Sequence, residues 1–557
     1  MMKGGAGMKA RGNRALPMLI CLLLMIAAAG CQKANTSTSN NSAATDTKNT
    51  AVSSDELNLD TKVFPKDKVV DVKITIDPDD FQDMLDNASA EEYKMASVEY
   101  NGIKMDNVAV RTKGNLSLRS VVQMSDSDRY SFKISFDEYV NQTLFGISKI
   151  NLNNNYSDAS YMREFLSYEL AESMGLPTPK YSFVNIYVNG ELKGFYLAVE
   201  QIGDAYLERH FGNSYGALYK GVMTGQGSDL TWLGDDASLY TGLEMKSEKS
   251  NDNIVLNMLN ELNNGTDYEK YLNVDEALGY IALNAVAGNM DSYLGSNKQN
   301  YYLYEDDGVF SILPWDYNMS FGGLGSSDVL IDEPTQGALA ERPLIAKLLA
   351  NEKYKAKYHE IIRKMLDGYL QTDTFQARMD QVDTMISSYV KADPSAFYTF
   401  EQYKSGITAV KTFMSTMATN VSQQLDGTIP SSGDGSGSGG GMGGGGAAAG
   451  EQTQGEAAQS QAAGGQQGGA AQGQAAGGPP AGEPGAMGGP AIPEGGNGPG
   501  GGMQGGFGGG GMPGGDFGGA GGAQQQGSAA EAIATGVAVV VLLLAAMFVS
   551  FYKRKRL

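Results

Sequence analysis

Histidine, cysteine and tryptophan each occur only twice in a chain of 557 residues. Cations are also short: 42 Lys and Arg stand against 63 Asp and Glu, a formal net charge of −21. Each scarcity excludes something. Cys21 and Cys31 alone cannot frame a disulfide scaffold or a cysteine-rich zinc site. With His210 and His359 as the only imidazoles, a Ser-His-Asp enzyme is nearly excluded. An acidic chain is poorly suited to displacing counterions from phosphate backbones, so no nucleic-acid partner is expected. Carbohydrate binding finds little support in Trp232 and Trp315, although Tyr is plentiful at 29.

Both ends of the chain read as membrane signals. Lys3, Lys9, Arg11 and Arg14 precede an apolar run from Leu16 to Ile26 that is too short to span a bilayer. Ala28-Ala29-Gly30 then sets small residues before Cys31. The pattern is similar to a bacterial lipobox, with Ala28 where Leu is commoner. It implies a signal at 1–30 and a lipid on Cys31; a plain signal peptide with an incidental cysteine is the other reading. Residues 532–552 carry no charge and are long enough to cross ~30 Å of hydrocarbon as a helix. The basic tail 553–557 follows, which by the positive-inside rule stays in the cytoplasm. The expected localisation is the cell membrane, with a lipid anchor, a C-terminal transmembrane helix and an extracytoplasmic body.

Between these signals lie two arms and one body. Residues 31–54 are rich in Ser, Thr, Asn and Ala and read as a disordered spacer. Residues 427–528 hold most of the 74 glycines and no Lys or Arg. Such a segment buries too little surface to offset its conformational entropy, and a coil of that length spans about 50–60 Å. The body, 55–426, reads as a two-lobed α+β domain. Strands are expected at 69–76, 98–100, 108–111 and 130–136, and a hairpin at 181–188 and 194–199 around Asn189-Gly190. Helices are expected at 79–85, from a Ser157-Asp158 cap to Met174, and at 253–263, 274–287, 343–368, 373–391 and 403–424. A β-rich first half followed by a helical second half has the layout of a two-lobed kinase.

The chemistry-bearing residues are acids and amides. Gly288-Asn289-Met290-Asp291 follows an apolar helix pattern. Asn297 and Asn300 precede the strand Tyr301-Tyr302-Leu303-Tyr304. Pro314-Trp315-Asp316-Tyr317-Asn318 follows the strand Val309 to Leu313. Three polar clusters at the ends of a helix and a hairpin can converge on one side of a lobe. Phosphoryl transfer needs such a set: one carboxylate for the attacking hydroxyl, and a second carboxylate with an amide oxygen for Mg²⁺. Hard oxygen ligands suit Mg²⁺, or Mn²⁺, in a chain with so little His and Cys.

These residues also carry a resemblance. Arg111-Thr112-Lys113-Gly114-Asn115, Ser131 to Phe136, Arg163-Glu164-Phe165-Leu166, Val188 to Tyr196 with Glu200, Leu243-Glu244-Met245-Lys246, Gly288 to Asp291 and Pro314 to Gly322 occur in one order. The chain thereby resembles the CotH kinase family, spore-coat protein H and its relatives, over most of 65–425. The resemblance implies an atypical protein-kinase-like fold flanked by disordered arms. It also implies ATP-dependent phosphorylation of Ser or Thr on a surface or spore-coat protein. Asp291 then matches the catalytic-loop aspartate and Asp316 the metal-binding one, with Asn300, or else Asn297, as a second ligand. Asn318 stands where the pattern often has another Asp, so a ligand there brings no charge.

The first half can be read by chain order. A kinase needs a strand lysine on the phosphates, then a helix glutamate, then a linker to the base. Lys133 is in phase with Ser131 and Ser135 on a strand, and is either that lysine or an exposed strand residue. Glu164 and Glu169 cannot share one helix face, and Glu164 is preferred. Glu200-Gln201-Ile202 falls where the linker belongs. Lys113-Gly114-Asn115 is the one turn suited to covering phosphates, since no full Gly-x-Gly-x-x-Gly is present near the start of the body. A non-catalytic scaffold that kept the fold is the alternative function.

Overall fold

A computed structural model describes residues 53–248 and 252–438, all within the unit Met1–Ala449. The signal, Cys31, the span 532–552, the basic tail and most of both arms lie outside the described residues. Among the described residues no helix is long and apolar enough to cross a membrane.

The first half of the body is a closed barrel. Its strands are β1 (Val70–Ile76), β2 (Lys94–Tyr100), β3 (Ile103–Lys113), β4 (Ser131–Ser135), β5 (Lys149–Asn153), β6 (Tyr181–Val188) and β7 (Glu191–Glu200), in the order β1-β2-β3-β4-β5-β7-β6. Neighbours are antiparallel except β1 and β6, which run parallel and close the ring. Alternation drives it: Val72, Ile74 and Ile76 of β1 are buried while Lys73 and Thr75 face solvent. Inward residues such as Val98, Val110, Ile134, Ile150 and Ile186 form one core. Asn189 (φ 51°) and Gly190 (φ 87°) make a two-residue turn, with Val188 opposite Glu191, so the β6–β7 hairpin is the tight form.

The second half is built on a four-stranded sheet and helices around a separate, larger core. The sheet has β8 (Leu218–Gly221), β9 (Leu243–Met245), β10 (Tyr301–Asp306) and β11 (Val309–Pro314) in the order β11-β10-β8-β9. Helix Val274–Val286 is buried on nearly every side and delivers the chain to the loop carrying Asp291. The described residues hold eleven α-helices in all, and the fold is mixed α+β.

Local chemistry moves several expected boundaries. The helix expected from the Ser157-Asp158 cap begins later, at Arg163, and ends at Ser173. Asp158 still acts as its cap from five residues upstream, accepting from the Arg163 N–H at 2.9 Å. The helix expected over 343–368 is two, Pro343–Leu349 and Glu352–Asp367. Asn351 breaks it by capping the Lys353 and Tyr354 N–H groups, which a continuous helix would satisfy with carbonyls. Residues 427–438, assigned to the arm, are hydrogen-bonded to the body. The Gly433 and Gly435 amides donate to the Glu333 carboxylate, and Ser438 N donates to the Thr335 carbonyl.

One buried ion pair ties the barrel to the helical half. Arg129, ahead of β4, donates to Asp393, which follows helix Thr372–Ala392. Neither side chain is exposed to solvent. Arg129 also donates to the Phe195 and Asn154 carbonyls, and Asp393 accepts from the Phe195 amide. Both charges are therefore saturated with partners, the condition for tolerating them out of water.

Candidate active site

A cavity of about 440 Å³ lies between the barrel and the four-stranded sheet. The ends of β3 and β5 supply Lys113 and Asn153. Helix Arg163–Ser173 supplies Glu164 from its first turn, β8 supplies Lys220, and the two loops supply Asp291, Asn300, Asp316 and Asn318. Asp291 and Asp316, expected to converge from a helix exit and a hairpin exit, line this one cavity. A second cavity of about 580 Å³, which includes Lys149, Gly203 and Lys246 in its wall, shares Gln201 and Tyr302 with it.

Asp291 sits in a cage of amides. Gln299 Nε2 donates to its Oδ1 at 2.9 Å, and Asn300 Nδ2 donates to its Oδ2 at 3.1 Å and to its main-chain carbonyl at 2.8 Å. Asn297 reaches Oδ1 at 3.5 Å. Burial, then the nearby charge of Asp316, raises the Asp291 carboxyl to about 6, against these donors. A carboxylate poised near neutrality suits proton acceptance. Asn300 (φ 60°) and Asp316 (φ 60°) both have positive φ, a backbone that Asn and Asp adopt more readily than other residues with a β-carbon. The loop beyond Asp291 is clamped by Arg342, 1% exposed, which donates from Nε to the Tyr293 carbonyl at 2.9 Å and from Nη2 to the Gly295 carbonyl at 2.5 Å.

Asp316 uses its backbone, not its carboxylate, for hydrogen bonding: its N–H donates to Tyr168 Oη at 3.2 Å. Two places on, Asn318 Oδ1 is buried with no hydrogen-bond partner among the described residues. A free carboxylate and an orphaned amide oxygen in one wall fit a hard divalent cation. Among the described residues no three His, Cys, Asp or Glu side chains group as a metal cage. The residues thus fit a cation that takes its remaining oxygens from phosphate and water.

The basic side of the cavity differs in part from the sequence expectation. Lys113 ends β3, inside the site, where it donates to Asn153 Oδ1 at 2.9 Å. Burial pulls its pKa down, while the Asp316 and Glu164 carboxylates push it up. Lys133 is on the neighbouring strand, paired with Arg111 and Asn151 in register. It donates to Gln201 Oε1 at 2.8 Å, and burial together with Lys113, Arg111 and Lys220 lowers it to about 6. So Lys113, placed by sequence on a phosphate-covering turn, holds the position facing the acids, and Lys133 sits behind it among cations. Gly114 (φ 129°) and Asn115 then lead into helix Leu116–Val122 at the cavity rim.

Glu164 is 5% exposed and faces the site, and burial with Asp316 raises it to about 7. Glu169 turns away to pair with Arg378, which separates the two helix glutamates as their spacing required. Glu200 is fully buried, with its carboxylate bonded to Arg209 and to the Lys180 amide at 2.9 Å, leaving Gln201 as the side chain at this edge of the site. Sequence reading placed Gln201 in the linker and missed Asn153, Tyr168 and Gln299. Asn151 and Asn153 alternate on β5 between buried apolar residues, a polar period-2 signal that marks one face of a strand.

A family model described as "CotH kinase protein" matches residues 110–421, more than half of the chain, and the chain belongs to that family. Inner spore coat protein H of Bacillus subtilis (strain 168) is 25% identical over 283 residues, covering 48% of this chain and 75% of that protein. A solved complex of the Shewanella oneidensis MR-1 toxin–antitoxin proteins HipA and HipB with operator DNA aligns at 13% identity and a TM-score of 0.28. It covers 50% of this chain, which spans 60% of that one; a likeness so slight carries no argument.

Proposed function

We propose that this chain is an ATP-dependent protein kinase with a two-lobed, kinase-like body, acting on Ser or Thr hydroxyls of an envelope or spore-coat protein. One observation carries the reading: Asp291, raised toward neutrality, and Asp316, with an unengaged carboxylate, share one cavity with Lys113. In this reading Asp291 orients the acceptor hydroxyl and takes its proton. The hydroxyl oxygen bonds to the γ-phosphorus as the bridging β–γ oxygen leaves with ADP. Lys113 and Lys220 offset phosphate charge. Asp316, Asn318 and Asn300 would hold Mg²⁺ or Mn²⁺, which when bound neutralises charge on the phosphates. Gln201 stands at the base end. The relative's name, inner spore coat protein H, supports the setting. The signal-like pattern at 1–30 and the apolar run 532–552 are consistent with a membrane-tethered body outside the cytoplasm, and the acidic chain with a protein acceptor and not a nucleic acid.

Transfer of labelled γ-phosphate from ATP with Mg²⁺ to a coat-like acceptor is the test. Asp316→Ala should lower transfer by on the order of 10³-fold while leaving the melting temperature within a few degrees. Wild-type transfer by this variant would remove the role assigned to Asp316. The scaffold reading draws on the amide at Asn318, which brings no charge to a metal. It requires that ATP with Mg²⁺, supplied 100-fold above a kinase-like Kd, fails to stabilise the chain by the expected ~2.7 kcal/mol.

A further inference from the structure

The phosphate lysine and the metal aspartate are linked through three intervening side chains, each hydrogen-bonded to the next. Lys113 Nζ donates to Asn153 Oδ1 at 2.9 Å, and Asn153 Nδ2 donates to Glu164 Oε2 at 2.9 Å. Glu164 Oε1 in turn accepts from Tyr168 Oη at 3.1 Å, and Tyr168 Oη accepts from the Asp316 N–H at 3.2 Å. With Lys113 as an ammonium and Glu164 as a carboxylate, the direction of every bond is fixed. An ammonium and a backbone N–H can only donate, so the Asn153 amide oxygen faces Lys113 and its NH₂ faces Glu164. The chain starts on β3, passes through β5 and helix Arg163–Ser173, and ends at the loop after β11. It therefore crosses from the barrel to the four-stranded sheet. Glu164 is 5% exposed and Tyr168 fully buried. Hydrogen bonds in such surroundings are costly to leave unmade, so loss of one member leaves a buried partner unsatisfied.

We infer that Asn153 and Tyr168 are positioning residues: Asn153 sets Lys113 against Glu164 through an amide bridge, and Tyr168 carries that placement to the backbone of Asp316. The inference rests on the kinase reading above. Asp316 occupies a left-handed backbone (φ 60°) that a β-carbon disfavours. The bond from its N–H to Tyr168 is what the surrounding structure offers to hold it there. Without Asn153 the lysine has no hydrogen-bond acceptor among the described residues. Without the tyrosine hydroxyl the Asp316 N–H and Glu164 Oε1 each lose their partner.

Rearranging the donors without changing the charge tests this in the full chain. Asn153→Asp sets two carboxylates against each other and should lower the rate of phosphoryl transfer. Glu164→Gln removes the charge and should lower it also. The double variant Asn153→Asp with Glu164→Gln moves the negative charge one step along and restores every donor to an acceptor: Lys113 to the new carboxylate, the new amide to that carboxylate, and Tyr168 to the amide oxygen. It should recover about 10-fold in transfer rate over the product of the two single losses, a coupling within the range for contacting pairs. Tyr168→Phe, which leaves the packing intact, should reduce kcat about 10-fold or more with little change in the KM for ATP. Single losses that simply multiply in the double variant, or Tyr168→Phe acting only on melting temperature, would overturn the relay while the kinase reading stands. A wild-type chain that neither binds nor transfers phosphate from ATP would overturn both.

Discussion

Asp291 shows what burial does to one side chain. Its carboxyl is raised to about 6 from 3.8, mainly by burial and then by Asp316. The folded state therefore holds this proton more tightly than the unfolded chain does. Below pH ~4 both states are protonated and nothing is lost; as pH climbs through 6 the folded state comes to carry a desolvated charge, and stability falls. Asp291→Asn should be more stable than the wild type by roughly 1–2 kcal/mol at pH 7–8, with the difference fading near pH 4. Denaturant unfolding at the two pH values measures this, and an equal or less stable variant at pH 8 would contradict the assigned burial cost. The same group must be ionised to accept a proton, so transfer should rise with pH through about 6. At this scale the sequence was legible where chemistry restricts the choice: Asp291 and Asp316 stood in polar clusters at the ends of apolar elements, and Glu164 was placed by chain order on the helix that follows the strand lysine. The lysine was harder to read. Lys113 and Lys133 both lie on strands, and which one faces the acids depends on how β3 and β4 register across the barrel, a long-range pairing that local pattern does not encode.

Elements whose signals are local were read most closely. Asn189-Gly190 gives its hairpin because both residues tolerate positive φ, and helices Thr372–Ala392 and Phe400–Leu425 follow their apolar periodicity to within about three residues. The misread elements are those decided by caps or by tertiary pairing. Asn351 splits one expected helix, and the short strands β8 and β9 exist because they pair with β10 and with each other. Besides the apolar packing of Phe183, Phe195 and Leu197 against the helices, the Arg129–Asp393 pair, from residues 264 apart in sequence, ties the barrel to the helical half. Arg129→Leu leaves Asp393 charged and buried, and should cost about 3–5 kcal/mol in unfolding free energy. Arg129→Leu with Asp393→Leu should recover much of that, since the orphaned charge is gone. A cost below about 1 kcal/mol for the single variant would show the pair to be incidental.

On the scale of the whole chain, composition ended the body at 426, and hydrogen bonds carry it beyond that point among the described residues. Glycines are read as flexible, yet 433 and 435 offer backbone amides that the Glu333 carboxylate accepts, and the body runs on through Ser438. Fold and site meet in the cavity between barrel and sheet, where cations enter from β3 and β8 and acids from two loops and one helix. The central claim is that Asp316 and Asp291 face one metal-bound triphosphate held by Lys113. Calorimetric titration with ATP, with and without Mg²⁺, against wild type and Asp316→Ala, tests it most directly. Wild type should bind at least about 10-fold more tightly when Mg²⁺ is present, and the variant should lose that dependence. Equal Mg²⁺-dependent binding by wild type and Asp316→Ala would contradict the account.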